Sequence, residues 1–495
     1  MTHSTCATIP LATPFPADLL PLMEKLSAHL QHLQDSIASF RALPLAPERS
    51  VAFELDILQL TRQIGHDVLE EVVNHLEPPL PEQAPKRLVV DGMAYRRRDK
   101  HPKTLATLFG PILVLRLLYE PLEPGFPCLH PLELGLGVVA RCATPALASR
   151  VGRLVADQPQ RVVLRILEED YQVCWCHQTL RKVATAWAES LKPYRHQAQV
   201  DRVLQWLKQA NQGRGSFQPV LAVGRDGIHV PMVGGGPTEA SVATLTIFDR
   251  RGKRIGTVYL GEMPRYQQES LSDQLTALIQ GVLSSWRGRQ PRLVYVTDAG
   301  WHPVDYYRRV LRTMEDPRQP GVRLHWERVV DFYHAAQYVS KLAEALFGGG
   351  WRARGWARQM RWLLKQPGGA TRLLQSASYY RNQEKMTEAD QVEFTKAYNY
   401  LRRNGRFMQY DRYRREGTPR GSGVTEAACK TVFTQRLKLS GMKWGVAGGQ
   451  VVVDLRILCL SGVYAEVVAR HLRQQSQRLE GTCLPYAAAC MSQAA

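Results

Sequence analysis

Pro219-Val220-Leu221-Ala222-Val223-Gly224-Arg225-Asp226-Gly227 opens the part of the chain whose reading decides the fold, and Arg292-Leu293-Val294-Tyr295-Val296-Thr297-Asp298-Ala299-Gly300 repeats its plan further on. Each is a short apolar run, rich in β-branched residues in the second case, that stops at an aspartate. An uninterrupted run of this length reads as a strand buried on both faces, and Asp with a nearby Gly marks its end.

Working outward, Ile228–Met232 continues the first strand, Ala240–Phe248 forms a second, Asp249-Arg250-Arg251-Gly252 turns, and Arg254–Gly261 forms a third. Gln268–Trp286 has helical apolar spacing and Arg292–Thr297 is the fourth strand. Pro303–Met314 is a helix, Leu324–Val330 the fifth strand, and Asp331–Phe347 a helix. Three antiparallel strands followed by alternating helices and strands predict an α/β ribonuclease H-like core. In that layout the first and fourth strands lie side by side at the centre of the sheet, so Asp226 and Asp298 become neighbours.

A third acid comes from Gly421-Ser422-Gly423-Val424-Thr425-Glu426-Ala427-Ala428-Cys429-Lys430. Apolar spacing is helical from Val424 to Leu439, Ser422 or Thr425 is placed to cap, and Glu426 falls in the first turn, where the helix dipole favours a carboxylate. Alone, each acid has an ordinary reading as a turn or first-turn residue; their joint placement is far more specific. Three carboxylates from two strands and a helix suit Mg²⁺, with Mn²⁺ as substitute. Two such ions can activate water on one side of a phosphorus and stabilise the leaving oxygen on the other. Asp331 and His334, three apart, are expected on one helix face and pointing to the same cleft. The competing reading is a capping Asp331 and a partly buried His334.

The 495 residues carry 64 Lys and Arg against 45 Asp and Glu, a net charge of +19, which points to a polyanionic partner such as nucleic acid. The excess concentrates in Arg402, Arg403, Arg406, Arg412, Arg414, Arg415, Arg420, Lys430, Arg436, Lys438 and Lys443, interleaved with Tyr400, Phe407, Tyr410, Tyr413 and Trp444. Cations mixed with aromatics suit a strand path along which phosphates pair and bases stack; the plainer reading is a solvated basic face.

Before the core, Pro16–Leu43 and Glu48–Leu76 read as an amphipathic helical hairpin, followed by a Pro-rich linker. Arg87–Tyr119 reads as a small β unit with a basic hairpin edge carrying Arg96, Arg97, Arg98, Lys100, His101 and Lys103. Helices over Pro145–Ala156, Gln158–Glu169 and His177–Leu191 follow, the last two spaced like a helix-turn-helix that presents Arg181 and Lys182 to a groove. A further helix spans Asp201–Asn211. The expected boundaries are 1–84 (hairpin and linker), 85–143 (β unit), 144–216 (helix-turn-helix-like), 217–347 (core), 348–420 (an all-helical insertion), 421–470 (core with Glu426) and 471–495 (a loose tail). A final core helix is expected over Val446–Ala469.

Nine scattered cysteines and no Cys-x-x-Cys pair read as a reducing compartment. Cys128 and His130 with Cys142, and Cys174-Trp175-Cys176-His177, are poorly spaced for zinc. No signal peptide is read at the N-terminus, and the longest apolar runs are broken by Arg116 and by Asp454 with Arg456, so a cytoplasmic chain with no membrane partner is expected.

Gly224–Gly227, Val296–Gly300, Asp331-Phe332-Tyr333-His334-Ala335, Gly421–Lys430, Gln435-Arg436-Leu437-Lys438 and Ser440-Gly441-Met442-Lys443-Trp444 together resemble the DDE transposases of bacterial insertion sequences, in particular the ISKra type. The resemblance covers residues 85–465 and is most specific in the last two motifs. It implies metal-dependent nicking at transposon ends, then attack of the freed 3′-hydroxyl on target DNA. It carries Asp226, Asp298 and Glu426 over as the triad, and Asp331 and His334 as an Asp-x-x-His element. It further implies double-stranded DNA as partner, as terminal inverted repeats and target, and a homodimer or larger assembly. Relatives often carry paired cysteines around the basic hairpin, reading as a zinc module; here only Cys128 remains in that region. Two other readings stand beside it: a ribonuclease H-like nuclease or resolvase without strand transfer, and a non-catalytic DNA-binding regulator.

Overall fold

The computed structural model describes residues 20–265 and 269–480, which divide into two compact units. One comprises residues up to Trp187 together with those from Ala469; the other runs from Ala188 to Val468. The part of the expected loose tail beyond Glu480 lies outside the described residues.

In the first unit, helices α1 (Leu20–Ala42) and α2 (Pro47–His75) run antiparallel. Pairs Lys25–Glu71, His29–Asp67 and His32–Asp56 fix their register. Strands β1 (Arg87–Val90), β2 (Met93–Thr107) and β3 (Gly110–Pro121) form an antiparallel sheet in that order. The basic residues expected at a hairpin edge lie along the long β2 instead, because cross-strand pairing with β3 carries it to Thr107. Helices α3 (Pro131–Leu136), α4 (Pro145–Asp157) and α5 (Gln160–Tyr171) lead into α6 (His177–Gln212).

The expected break after Leu191 is absent: α6 is one 36-residue helix with Pro193 inside it. Leu191, Ala198 and Val200 are buried on either side of the proline, and that packing offsets the hydrogen bond a proline removes.

The second unit is built on a five-stranded mixed sheet. Its strands are β4 (Val220–Pro231), β5 (Pro237–Phe248), β6 (Arg254–Glu262), β7 (Arg292–Thr297) and β10 (Trp326–Val330); a two-residue β8 (Glu315–Asp316) and β9 (Gln319–Arg323) form a separate hairpin. The order is β10-β7-β4-β5-β6, with β4 parallel to β7 and antiparallel to β5. The first and fourth strands of this unit, β4 and β7, are therefore neighbours at the centre of the sheet, as their patterning predicts.

Period-two alternation assigns the faces. Leu221 and Val223 pack with the C-terminal part of α6, with α7 (Glu269–Ser285) and with α8 (Trp301–Arg309). Val220 and Ala222 pack on the other face with α9 (Phe332–Phe347), α10 (Trp351–Leu363), α11 (Gly369–Gln383), α12 (Glu388–Asn404) and α13 (Tyr410–Arg415).

The segment carrying Glu426 is α14 (Gly423–Ala428), a π-helical stretch over Cys429–Thr434, and α15 (Gln435–Leu437). Where one final helix is expected there are two, α16 (Val446–Leu460) and α17 (Tyr464–Glu480), because Gly462 takes a left-handed φ of 68° between them. α17 also orders residues 471–480, expected to be part of the loose tail. Among the described residues no helix is long and apolar enough to cross a membrane.

Candidate active site

Asp226 and Asp298 are brought to the same level of the sheet by strand register. β4 and β7 pair in parallel up to Gly224 opposite Val296, and each aspartate stands two residues beyond that pair. Asp226 shares its face with Val220, Ala222 and Gly224, whereas Arg225 points to the other side. There the Arg225 guanidinium lies 4.7 Å from the Tyr306 ring centre and donates to Ser272 Oγ at 2.9 Å.

The Glu426 helix is docked on β4 and β5, on β5 through hydroxyls and on β4 through a close approach to Gly224. Thr425 Oγ1 meets Thr244 Oγ1 at 2.8 Å, and a Cβ added to Gly224 would stand 2.0 Å from Thr425 Oγ1. Glycine at 224 is what lets the helix approach the strand this closely. One turn on, Cys429 Sγ donates to Asp226 Oδ2 at 3.4 Å, so the helix reaches the first aspartate through a thiol.

Each carboxylate has polar neighbours of its own. Asp226 Oδ1 accepts from Gly227 N at 2.8 Å. Asp298 Oδ1 accepts from Gly300 N at 2.8 Å, while its carbonyl accepts from Tyr400 Oη at 2.8 Å. Glu426 Oε1 lies 2.9 Å from Ser422 Oγ. Burial, first, and then the nearby Asp298 and Glu426 charges push the Asp226 carboxyl above its ordinary range, against the Gly227 and Cys429 hydrogen bonds. Burial, then the Asp226 charge, holds the Cys429 thiol far above its usual range, so it remains a neutral donor.

Hard oxygen donors with mutually unfavourable charge, and with no Lys or Arg ion pair to any of the three among the described residues, fit a divalent cation in type. They are not gathered as they stand: among the described residues no three His, Cys, Asp or Glu side chains are grouped so as to hold a metal. Ser422 Oγ, with a single proton, lies between two carboxylates, 2.9 Å from Glu426 Oε1 and 3.0 Å from Asp331 Oδ2.

Asp331 does not share a cleft with His334. It precedes α9 as the N-cap, fully buried, with Oδ1 accepting from His334 N at 2.6 Å and Oδ2 accepting from Ser422 N and, at 3.0 Å, from Ser422 Oγ. The helical spacing argument fails because Asp331 lies outside the helix, with φ of −54° and ψ of 128°. The half-buried His334 ring packs edge-on against Tyr338 and Tyr400, which stack on each other at 3.7 Å, and Tyr400 is the residue that holds the Asp298 carbonyl.

Several residues expected to face DNA do not. Arg436 is fully buried, its guanidinium 5.4 Å from the Trp444 ring centre. Trp444 is tied to Leu437 O by its indole N–H and to Pro231 O by its backbone N–H. Tyr410 and Tyr413 are core residues whose hydroxyls reach the Val330 and Arg328 carbonyls. Arg412 pairs with Glu327, and Arg415 with Asp411 at 2.9 Å. Arg402, Arg403, Arg406, Arg414, Arg420, Lys430, Lys438 and Lys443 are exposed.

In the first unit Arg181 and Lys182 are exposed in the first turns of α6; Arg96 and Arg98 share Glu120, and Arg97 donates to the Ala84 carbonyl. His130 is a core histidine, its Nδ1 on the Leu117 carbonyl at 3.0 Å, and burial lowers its pKa to about 4. Cys429, Ser422 and Tyr400 escape sequence reasoning as site residues; the one available signal is that Cys429 stands three after Glu426 on a helix.

No protein-family model and no curated protein matches the chain.

Proposed function

We propose that the chain is a DDE-type transposase of a bacterial insertion sequence, with a ribonuclease H-like core in which Asp226, Asp298 and Glu426 hold Mg²⁺ or Mn²⁺. The observation that carries the reading is the register of β4 and β7, which sets Asp226 beside Asp298, while Cys429 against β4 and Thr425 against the neighbouring β5 seat the Glu426 helix on the sheet. The sheet order and the helical segment between β10 and the Glu426 helix agree with it.

When bound, the metal supplies a nucleophilic oxygen at neutral pH and stabilises the leaving oxygen. The protein's own residues orient and position. Gly300 N and Tyr400 Oη fix the Asp298 turn, Gly227 N and Cys429 Sγ fix Asp226, and exposed arginines on α12 and around α13 and α14 offer cations to phosphates. The Asp331 carboxylate positions the Ser422 end of the Glu426 helix and takes no part in the cleft.

The test is a cleavage and joining assay with Mn²⁺ and DNA carrying the element's inverted-repeat ends. Cleavage followed by joining to target, lost in Asp226→Asn with end binding retained, supports the reading. Cleavage without any joining indicates a nuclease or resolvase. Activity indifferent to Asp226→Asn indicates a DNA-binding regulator.

A further inference from the structure

We propose that the cavity of about 240 Å³ walled by Phe332, Tyr333, Lys365, Tyr410, Arg420 and Gly421 receives one unpaired nucleotide of a DNA strand, its base on the aromatic wall and its phosphate on the two cations. The proposal deepens the DNA-processing reading and rests on it.

The lining chooses the ligand class. Phe332 and Tyr333 begin α9 as an edge-to-face pair with ring centres 5.7 Å apart, and the Tyr410 ring closes the back, edge-on to Phe332 at 5.1 Å. Tyr333 is 69% exposed, an aromatic surface left to solvent on a rigid first turn. Lys365 sets its ammonium 4.6 Å from the Phe332 ring centre, Arg420 is exposed, and no acidic side chain lines the space. A flat π-face with cations and no carboxylate favours a planar group bearing negative charge, and base stacking with a paired phosphate is how single strands are held without sequence choice. The volume lies below that of drug-sized sites, so it fits one base and not a paired step.

The cavity is also tied to the Glu426 helix. Phe332 N donates to the Arg420 carbonyl at 2.9 Å. The Gly421 wall lies close to Asp331 Oδ2 and the Tyr333 ring, and the next residue, Ser422, reaches Glu426. A nucleotide seated here would leave its strand adjacent to the Glu426 helix.

Binding without divalent metal tests this separately from chemistry, using full-length protein bearing Asp226→Asn. The probes are a blunt duplex and the same duplex with a single-stranded extension containing 2-aminopurine, whose fluorescence is quenched on stacking. The expected result is quenching on binding. Tyr333→Ala should weaken the extended duplex about fivefold or more, from the value of one base stack. It should leave the blunt duplex unchanged, and Tyr333→Phe should restore binding. Tyr333 is exposed, so these variants do not touch the core. Equal weakening of both duplexes, or none, overturns the proposal, as does quenching abolished by free deoxyadenosine monophosphate at micromolar concentration, which would make the cavity a mononucleotide site. Failure of cleavage in the earlier assay leaves this outcome unaffected.

Discussion

Asp226 shows how one residue's environment turns into a measurable cost. Its folded carboxyl titrates above its unfolded one, so between the two values the folded chain binds more protons, and stability falls as pH rises through the folded value. Above the folded value the ionised carboxylate is a net penalty on stability. Asp226→Asn should abolish cleavage yet raise the melting temperature at pH 7. The gain should close as pH falls toward the ordinary carboxylate range, and thermal melts across pH read both.

Asp331 makes the opposite prediction. Both its oxygens accept, one from His334 N and one from Ser422 N and Oγ, and an asparagine has a single oxygen. Asp331→Asn must turn an NH₂ toward a donor and should cost about 1–3 kcal/mol in denaturant unfolding. Both placements have a reading in sequence, Asp226 on its strand and Asp331, in the competing reading, as a helix cap beside a half-buried His334. A buried apolar run leading into Asp puts that acid on the central strand, where it stands opposite Val242, whereas the Ser422 partner of Asp331 is set by long-range packing that no local pattern encodes.

At the scale of elements, the docking of α14 on β4 depends on Gly224 lacking a side chain. Gly224→Ala would place a methyl 2.0 Å from Thr425 Oγ1 and 3.2 Å from Thr244 Oγ1, and the helix must lift from the strand. Cleavage should fall at least about tenfold, the rate equivalent of ~1.4 kcal/mol, with DNA binding kept. Thr425→Ala in the same chain removes the nearest clashing atom and should return part of the activity. A double variant no better than the single would mean that Gly224 acts through strand conformation instead.

The π-helical stretch that follows, over Cys429–Thr434, shifts the helix where Cys429 faces Asp226; such bulges recur at functional sites. Apolar spacing alone gave an ordinary helix there, because one extra residue per turn scarcely disturbs a pattern of threes and fours. The same blindness sent Tyr410 and Tyr413 to the DNA. Aromatics among arginines read alike whether they face solvent or, as here, fill the space between α9 and the sheet.

For the whole molecule, a net charge of +19 says that a polyanion is a fit partner but not where it lies. The structure separates cations by availability. Arg402, Arg403 and Arg406, at the end of α12 and just beyond it, are exposed, whereas Arg436 is fully buried against Trp444. Counterion release makes the distinction measurable, since each phosphate neutralised contributes about 0.9 to the slope of log K against log salt. Replacing Arg402, Arg403 and Arg406 together by alanine should reduce that slope by roughly 2–3 and weaken binding to every duplex alike, because phosphate contacts carry no sequence information. Arg436→Ala should leave the slope unchanged and instead lower the melting temperature, through a cavity beneath Trp444 and the loss of its cation–π contact. A salt titration by fluorescence anisotropy on one duplex, with a melt on each protein, reads all four quantities. An unchanged slope in the triple variant would assign the DNA path to other cations, among them Lys430, Lys438 and Lys443 beside the Glu426 helix, and would leave the α12 arginines as solvated charge.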